Sequence, residues 1–159
     1  SDIKQRADWV ITTSDLNVHQ LRANIVESLV PAGTMGLVVT LVSFGYKYGT
    51  PLDADLILDV RFLPNPNYDP QLKPLTGLDV AVRDNVIEAG TSMKFFDKLT
   101  PLLDYLLPMY VAEGKSNLTV GIGCTGGRHR SVAIVEWLAR RFREQSYNAI
   151  VRHRDIGKD

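Results

Sequence analysis

Within Cys124-Thr125-Gly126-Gly127-Arg128-His129-Arg130-Ser131 the chain gathers a thiol, two guanidiniums, an imidazole and two hydroxyls. Two kinds of chemistry fit that set. The first is anion binding: glycines let the backbone approach a ligand closely, and cations beside a helix start attract phosphate or carboxylate. The second is nucleophilic. Cys124 stands six positions before Arg130, and a helix N-terminus flanked by cations lowers a thiol pKa and makes it reactive. His129, between two arginines, is expected to be neutral and to contact an anion.

The Cys-x5-Arg-Ser spacing resembles that of protein tyrosine phosphatases, in which a loop wraps a phosphate and a thiolate attacks it. Gly123 stands where that pattern has histidine, and Arg128 and His129 put bulky side chains into a loop that is usually compact. A general acid is also needed, for which Asp59 and Asp155 are candidates. Anion binding is therefore the reading adopted, with Cys124 and Arg130 as a catalytic pair the alternative. The three histidines are scattered (His19, His129 and His153) and no Cys/His pair has ligand spacing, so no metal site is expected. No Gly-x4-Gly-Lys-Ser/Thr stretch occurs, so nucleotide binding by that device is excluded here.

Such a loop needs a strand before it and a helix after it. Leu118–Ile122 is a short apolar strand, and the helix, with Arg128 to Ser131 in its first turn, runs to about Gln145. Val132, Val135, Ala139 and Phe142 recur at helical spacing and face a core. Gly36–Gly45 is nearly all apolar and rich in β-branched residues, as befits a strand covered on both faces. Leu56–Phe62 and Asn148–Arg152 read as further strands, Leu78–Ala89 and Ser92–Glu113 as helices. Pro101 and Pro108 are expected to kink the longer helix or to start new segments. Its stripe, from Phe95 and Phe96 through Leu99, Leu102, Leu103, Leu106 and Leu107, is expected in the core. Leu63–Gly77 holds four prolines and is either functional or a rigid connector.

Strands alternating with helical segments give an α/β fold, a single domain over residues 34–159 with a mainly parallel sheet flanked by helices. Ligands of such sheets sit beyond the carboxyl ends of the strands. Ser43, Gly45, Lys47 and Tyr48 fall there, as do Asp59, Arg61, the Cys124–Ser131 loop and His153–Arg154. Their convergence is the expected ligand edge.

The 159 residues carry no net charge, but from Arg128 onward eight Lys/Arg face four Asp/Glu, a net of +4. Arg140, Arg141, Arg143, Arg152 and Arg154 could each meet an RNA phosphate or simply form a solvated face. No apolar run approaches the roughly 18 residues that span a bilayer. One cysteine excludes an internal disulfide and suits a reducing cytosol, so a cytoplasmic protein without a membrane partner is expected. Residues 1–33, with a helical stripe at Leu16, Val18, Leu21, Ile25 and Leu29, are too few for a core of their own. They dock on the domain C-terminal to them or belong to an upstream one.

Gly123–Val132, Ser43–Gly49 (Ser-Phe-Gly-Tyr-Lys-Tyr-Gly), Asp59–Pro66 (Asp-Val-Arg-Phe-Leu-Pro-Asn-Pro), Thr76–Asp79 and Arg152–Arg154 together resemble the RapZ/YvcJ family of bacterial nucleotide-binding and RNase adapter proteins. The resemblance implies a C-terminal domain likened to phosphofructokinase. Residues 1–33 would be the last strand and helix of a preceding P-loop NTPase domain, where ATP or GTP would bind; no cofactor is implied for this chain. It further implies a non-catalytic sensor of a phosphorylated amino sugar, glucosamine-6-phosphate, held by Thr125, Gly126, Gly127, His129 and Arg130 with the Ser43–Tyr48 loop opposite. Small RNA, an endoribonuclease and self-association are the implied partners. Tyr48 stands where RNA-binding members have histidine, and the sequence ends in Gly157-Lys158-Asp159 rather than in a lysine/arginine tail.

Overall fold

The computed structural model describes residues 36–158. The reading of residues 1–33 lies outside them. Four strands, β1 (Val38–Gly45), β2 (Leu56–Asp59), β3 (Asn117–Cys124) and β4 (Asn148–His153), form one sheet in the order β2-β3-β1-β4. Every pairing is parallel, with Val39 opposite Leu118 and Val38 opposite Asn148. Among the described residues three α-helices flank the sheet, α1 (Val80–Ile87), α2 (Gly90–Glu113) and α3 (Arg130–Glu144), with short 3-10 turns at Tyr46–Tyr48 and Pro66–Tyr68.

The core lies between one face of the sheet and the helices. Val39 and Leu41 of β1 and Leu118, Val120 and Ile122 of β3 meet Ile134, Val135, Leu138 and Phe142 of α3. Val82 and Val86 of α1 and Phe96, Leu99, Leu103 and Leu107 of α2 join them, and Phe96 stacks on Trp137 at 3.8 Å. The α2 stripe is narrower than its sequence suggests, for Leu102 is exposed.

Helix α2 runs unbroken through Pro101 and Pro108, contrary to the expected interruption. The prolines are seven apart, so they share an exposed face, and the carbonyls they leave without donors, at Asp97 and Asp104, also lie on exposed residues where water can serve them. β2 is shorter than the expected Leu56–Phe62. After the last ladder bond, Val60 N–H to Gly123 O (2.9 Å), the Asp59 carboxylate accepts from Arg61 N–H (2.9 Å) and turns the chain. β3 is longer than expected and carries Gly123 and Cys124. Helix α3 consequently starts later, with His129 at its N-cap and Arg128 still in the loop.

Candidate functional site

Both central strands end in glycine-bearing loops that lock together. A Cβ built on Gly45 would fall 2.4 Å from the Gly126 carbonyl carbon, and one on Gly127, whose φ is +76°, would fall 2.6 Å from Gly45 N. Only glycine permits that approach. Lys47 N–H donates to Thr125 O (3.2 Å), and Gly45 N–H to the buried Asp155 Oδ2 (2.8 Å).

Beyond the interlock, the basic side chains of the loop reach the proline-rich segment by its backbone. Arg130 Nη1 donates to Arg61 O (2.6 Å) and Leu63 O (3.2 Å), and Nη2 to Thr125 Oγ1 (3.3 Å). Arg128 donates to Leu75 O (3.0 Å) and Pro74 O (2.6 Å), and His129 Nε2 lies 3.2 Å from Lys73 O. Gly77 N–H returns a bond to Arg128 O (2.9 Å). Residues 61–77 are thus folded over the start of α3.

The fold-over lines a half-open cavity of about 610 Å³, a size that suits a small metabolite. Cys124, Thr125, Gly126, Arg128, His129 and Arg130 form one wall; Asn65, Asn67, Pro70, Lys73 and Pro74 form the other. Arg130 is 5% exposed, and among the described residues it pairs with no carboxylate. A buried cation whose hydrogen bonds go to neutral oxygens is costly; the Asp59 carboxylate, within electrostatic reach of Arg130, offsets part of that cost and a bound anion would offset more. The first-turn N–H groups of α3, which have no partners within the helix, add to the positive field.

The other expected site residues lie elsewhere. Ser43 is fully buried, its hydroxyl 2.7 Å from His153 Nδ1, while His153 Nε2 meets Glu136 at 2.7 Å. Gly45, Gly127 and Ser131 support the loop, Ser131 Oγ lying 3.1 Å from Cys124 Sγ. Asp59 and Arg61 pair at 2.6 Å, Arg61 stacking on Tyr46 at 4.0 Å, and this pairing holds the Asp59 carboxyl below its usual range. Lys47 and Lys158 sit over the Tyr48 ring at 5.2 and 4.9 Å. Sequence spacing does not single out Asn65, Asn67, Pro70, Lys73 and Pro74 as site residues. The signal for them is the proline-dense segment itself, which the sequence leaves as either functional or a rigid connector.

Three of the five arginines considered for RNA are engaged within the domain. Arg141 pairs with Asp104 (2.7 Å), Arg143 donates to Ala149 O (2.9 Å), and Arg154 pairs with Asp155 (2.8 Å). Arg140 and Arg152 are exposed.

Burial, with the charges of Arg128 and Arg130 adding to it, lowers the His129 pKa from 6.5, against bonds to the Lys73 and Leu75 backbone that raise it. The unfolded chain then takes up a proton near 6.5 while the folded one does not, so stability is expected to fall as pH drops from 6.5 toward the folded value. Urea unfolding at several pH values checks this. His129→Gln should flatten the slope in that window, and an unchanged slope would mean that another group is responsible.

Fold and cavity define a class: a parallel α/β domain organised around a strand, a glycine loop and a helix start. The chain belongs to the family of RapZ C-terminal domains, whose model matches residues 37–157. It is 51% identical to a nucleotide-binding protein of Desulforudis audaxviator over 161 residues, covering 99% of this chain and 54% of that protein. It is 52% identical to one of Heliobacterium modesticaldum (100% and 53%) and 50% identical to one of Geobacter metallireducens (99% and 56%). The chain spans about half the length of these curated relatives. Among the described residues no helix is long and apolar enough to cross a membrane.

Proposed function

We propose that this domain binds a phosphorylated small metabolite, an amino-sugar phosphate such as glucosamine-6-phosphate, and acts as a non-catalytic sensor within a larger cytoplasmic regulatory protein. The observation that carries this reading is Arg130: a buried cation without a carboxylate partner among the described residues, lining a cavity at the start of a helix. Thr125 and the α3 start would take the phosphate; the carboxamides of Asn65 and Asn67 and the Lys73 ammonium suit a hydroxylated body. On this reading the nucleotide binding for which the relatives are named belongs to the half of those proteins that this chain does not span, since no Gly-x4-Gly-Lys-Ser/Thr stretch occurs in it.

The phosphatase alternative is the weaker one. Asp59 is committed to Arg61, and Asp155, buried behind Gly45, is outside the cavity lining. RNA binding by the domain alone would rest on few free arginines, so it is proposed only for the larger protein, with self-association adding avidity.

Thermal shift and calorimetry with inorganic phosphate, glucosamine-6-phosphate and ATP test the reading. Glucosamine-6-phosphate at about 100 times its Kd is expected to stabilise by about 2.7 kcal/mol, and ATP much less. Cys124→Ser should leave affinity within about threefold, with no aryl-phosphate turnover in the parent. Turnover that vanishes in Cys124→Ser, or no response to any phosphate at about 10 mM, overturns the proposal.

A further inference from the structure

Asp155 follows β4 and is outside the cavity lining, yet the loop that walls the cavity leans on it. The β1–β4 ladder closes with Arg154 N–H donating to Ser43 O (3.0 Å). In a parallel pair the next β1 donor on that side is Gly45 N–H, which a β4 carbonyl would ordinarily take. Here the Asp155 side chain takes it, at 2.8 Å. A Cβ on Gly127 would lie 3.0 Å from Asp155 Cβ and 2.6 Å from Gly45 N, so Gly45, Gly127 and Asp155 form one contact. The carboxylate is wholly buried and paired with both Arg154 and Lys158, each at 2.8 Å.

We propose that Asp155 is a positioning residue for the anion loop: by holding Gly45 N–H it seats the end of β1 against Gly126 and Gly127 and so sets the shape that receives phosphate. The proposal rests on the phosphate reading of the cavity. Arg154 and Lys158 have a complementary part. A bare carboxylate behind an anion loop would repel the ligand, and the two cations offset its charge. Burial raises the Asp155 pKa, but bonds from Arg154, Gly45 N–H and Lys158 outweigh it and bring it to about 2, so the acceptor stays ionised at ordinary pH.

The probe is inorganic phosphate, titrated by calorimetry into the parent, Asp155→Ala, Asp155→Asn and Lys158→Ala proteins, with amide hydrogen exchange read at Gly45, Gly126 and Gly127. Asp155→Ala is expected to weaken phosphate binding by about tenfold or more and to speed exchange at the three glycines. Asp155→Asn keeps an oxygen for Gly45 and is expected to restore affinity to within about threefold, although it loses the ion pairs. Lys158→Ala keeps the Gly45 bond but leaves Arg154 alone to offset the carboxylate, so it should weaken phosphate binding by about two- to fivefold, less than Asp155→Ala. Parent-like affinity in Asp155→Ala, or Asp155→Asn as weak as Asp155→Ala, overturns the proposal. If Asp155→Ala does not fold, Asp155→Asn decides alone: a loss of about tenfold would assign the effect to the ion pairs and sink the Gly45 link. If the parent binds no phosphate, the functional reading fails, and exchange then decides: faster glycine exchange in Asp155→Ala upholds the loop-shaping role, unchanged exchange removes it.

Discussion

Arg130→Ala is expected to abolish the thermal response to phosphate and to lower stability by about 3 kcal/mol, since hydrogen bonds from charged donors contribute roughly 1.5–3 kcal/mol each. Two effects add. The guanidinium supplies the buried charge that an anion would neutralise, and it also satisfies the carbonyls of Arg61 and Leu63, which alanine leaves without a donor. For a domain of this size the loss corresponds to roughly 10 °C in Tm. Arg130→Lys restores the charge but not the planar fork that spans two carbonyls and the Thr125 hydroxyl. It should regain part of the phosphate response and little of the Tm. Undiminished binding in Arg130→Ala would show that the anion, if any, sits elsewhere.

Gly45→Ala is the second large effect, and it isolates crowding from backbone strain. Gly45 has φ −107° and ψ 130°, ordinary extended values that alanine adopts freely. The added methyl would nevertheless meet three backbone atoms of Gly126, at 2.4, 2.6 and 2.8 Å, none of which can rotate away. The two loops must part, at a cost of about 1–3 kcal/mol or more, and the cavity wall moves with them. Phosphate affinity is expected to fall by about tenfold or more. Gly90→Ala is the control: nothing lies within 4 Å of its Cβ, and it should be neutral or slightly stabilising. A Gly45→Ala protein with parental Tm would mean that the interlock is looser than its contact distances indicate.

The parallel α/β architecture was legible because it rests on local periodicity. The β-branched run of β1 and the Val132-Val135-Ala139-Phe142 spacing leave little choice of element or face. Element ends were less legible. β2 stops early because of one Asx turn at Asp59, which competes with strand extension and leaves no mark on hydrophobic pattern. The cavity was half legible: the glycine loop announced itself, and of its flanking residues Cys124 to Gly126 and Arg128 to Arg130 do line the space. The opposite wall was hidden because three-dimensional folding, not sequence spacing, brings Asn65, Asn67 and Lys73 across to it. Ser43 was misdirected for a related reason. Its place at a strand's carboxyl end is right, but side chains alternate across a sheet, and its own meets His153 instead.

Arg128, His129 and Arg130 hold the segment over the cavity through five main-chain oxygens, those of Arg61, Leu63, Lys73, Pro74 and Leu75. Every residue type supplies such an oxygen. The clamp is therefore made without the segment's side chains, and mutation at Asn67 or Lys73 can retune the far wall without loosening its attachment, whereas the Asn65 carboxamide also caps the Pro66–Tyr68 turn by accepting from Asn67 N–H (3.0 Å). On the phosphate reading proposed above, ligand choice is free to drift within one scaffold while the clamp keeps the near wall fixed; for an engineer, Asn67 and Lys73 are where a library of altered recognition would be built.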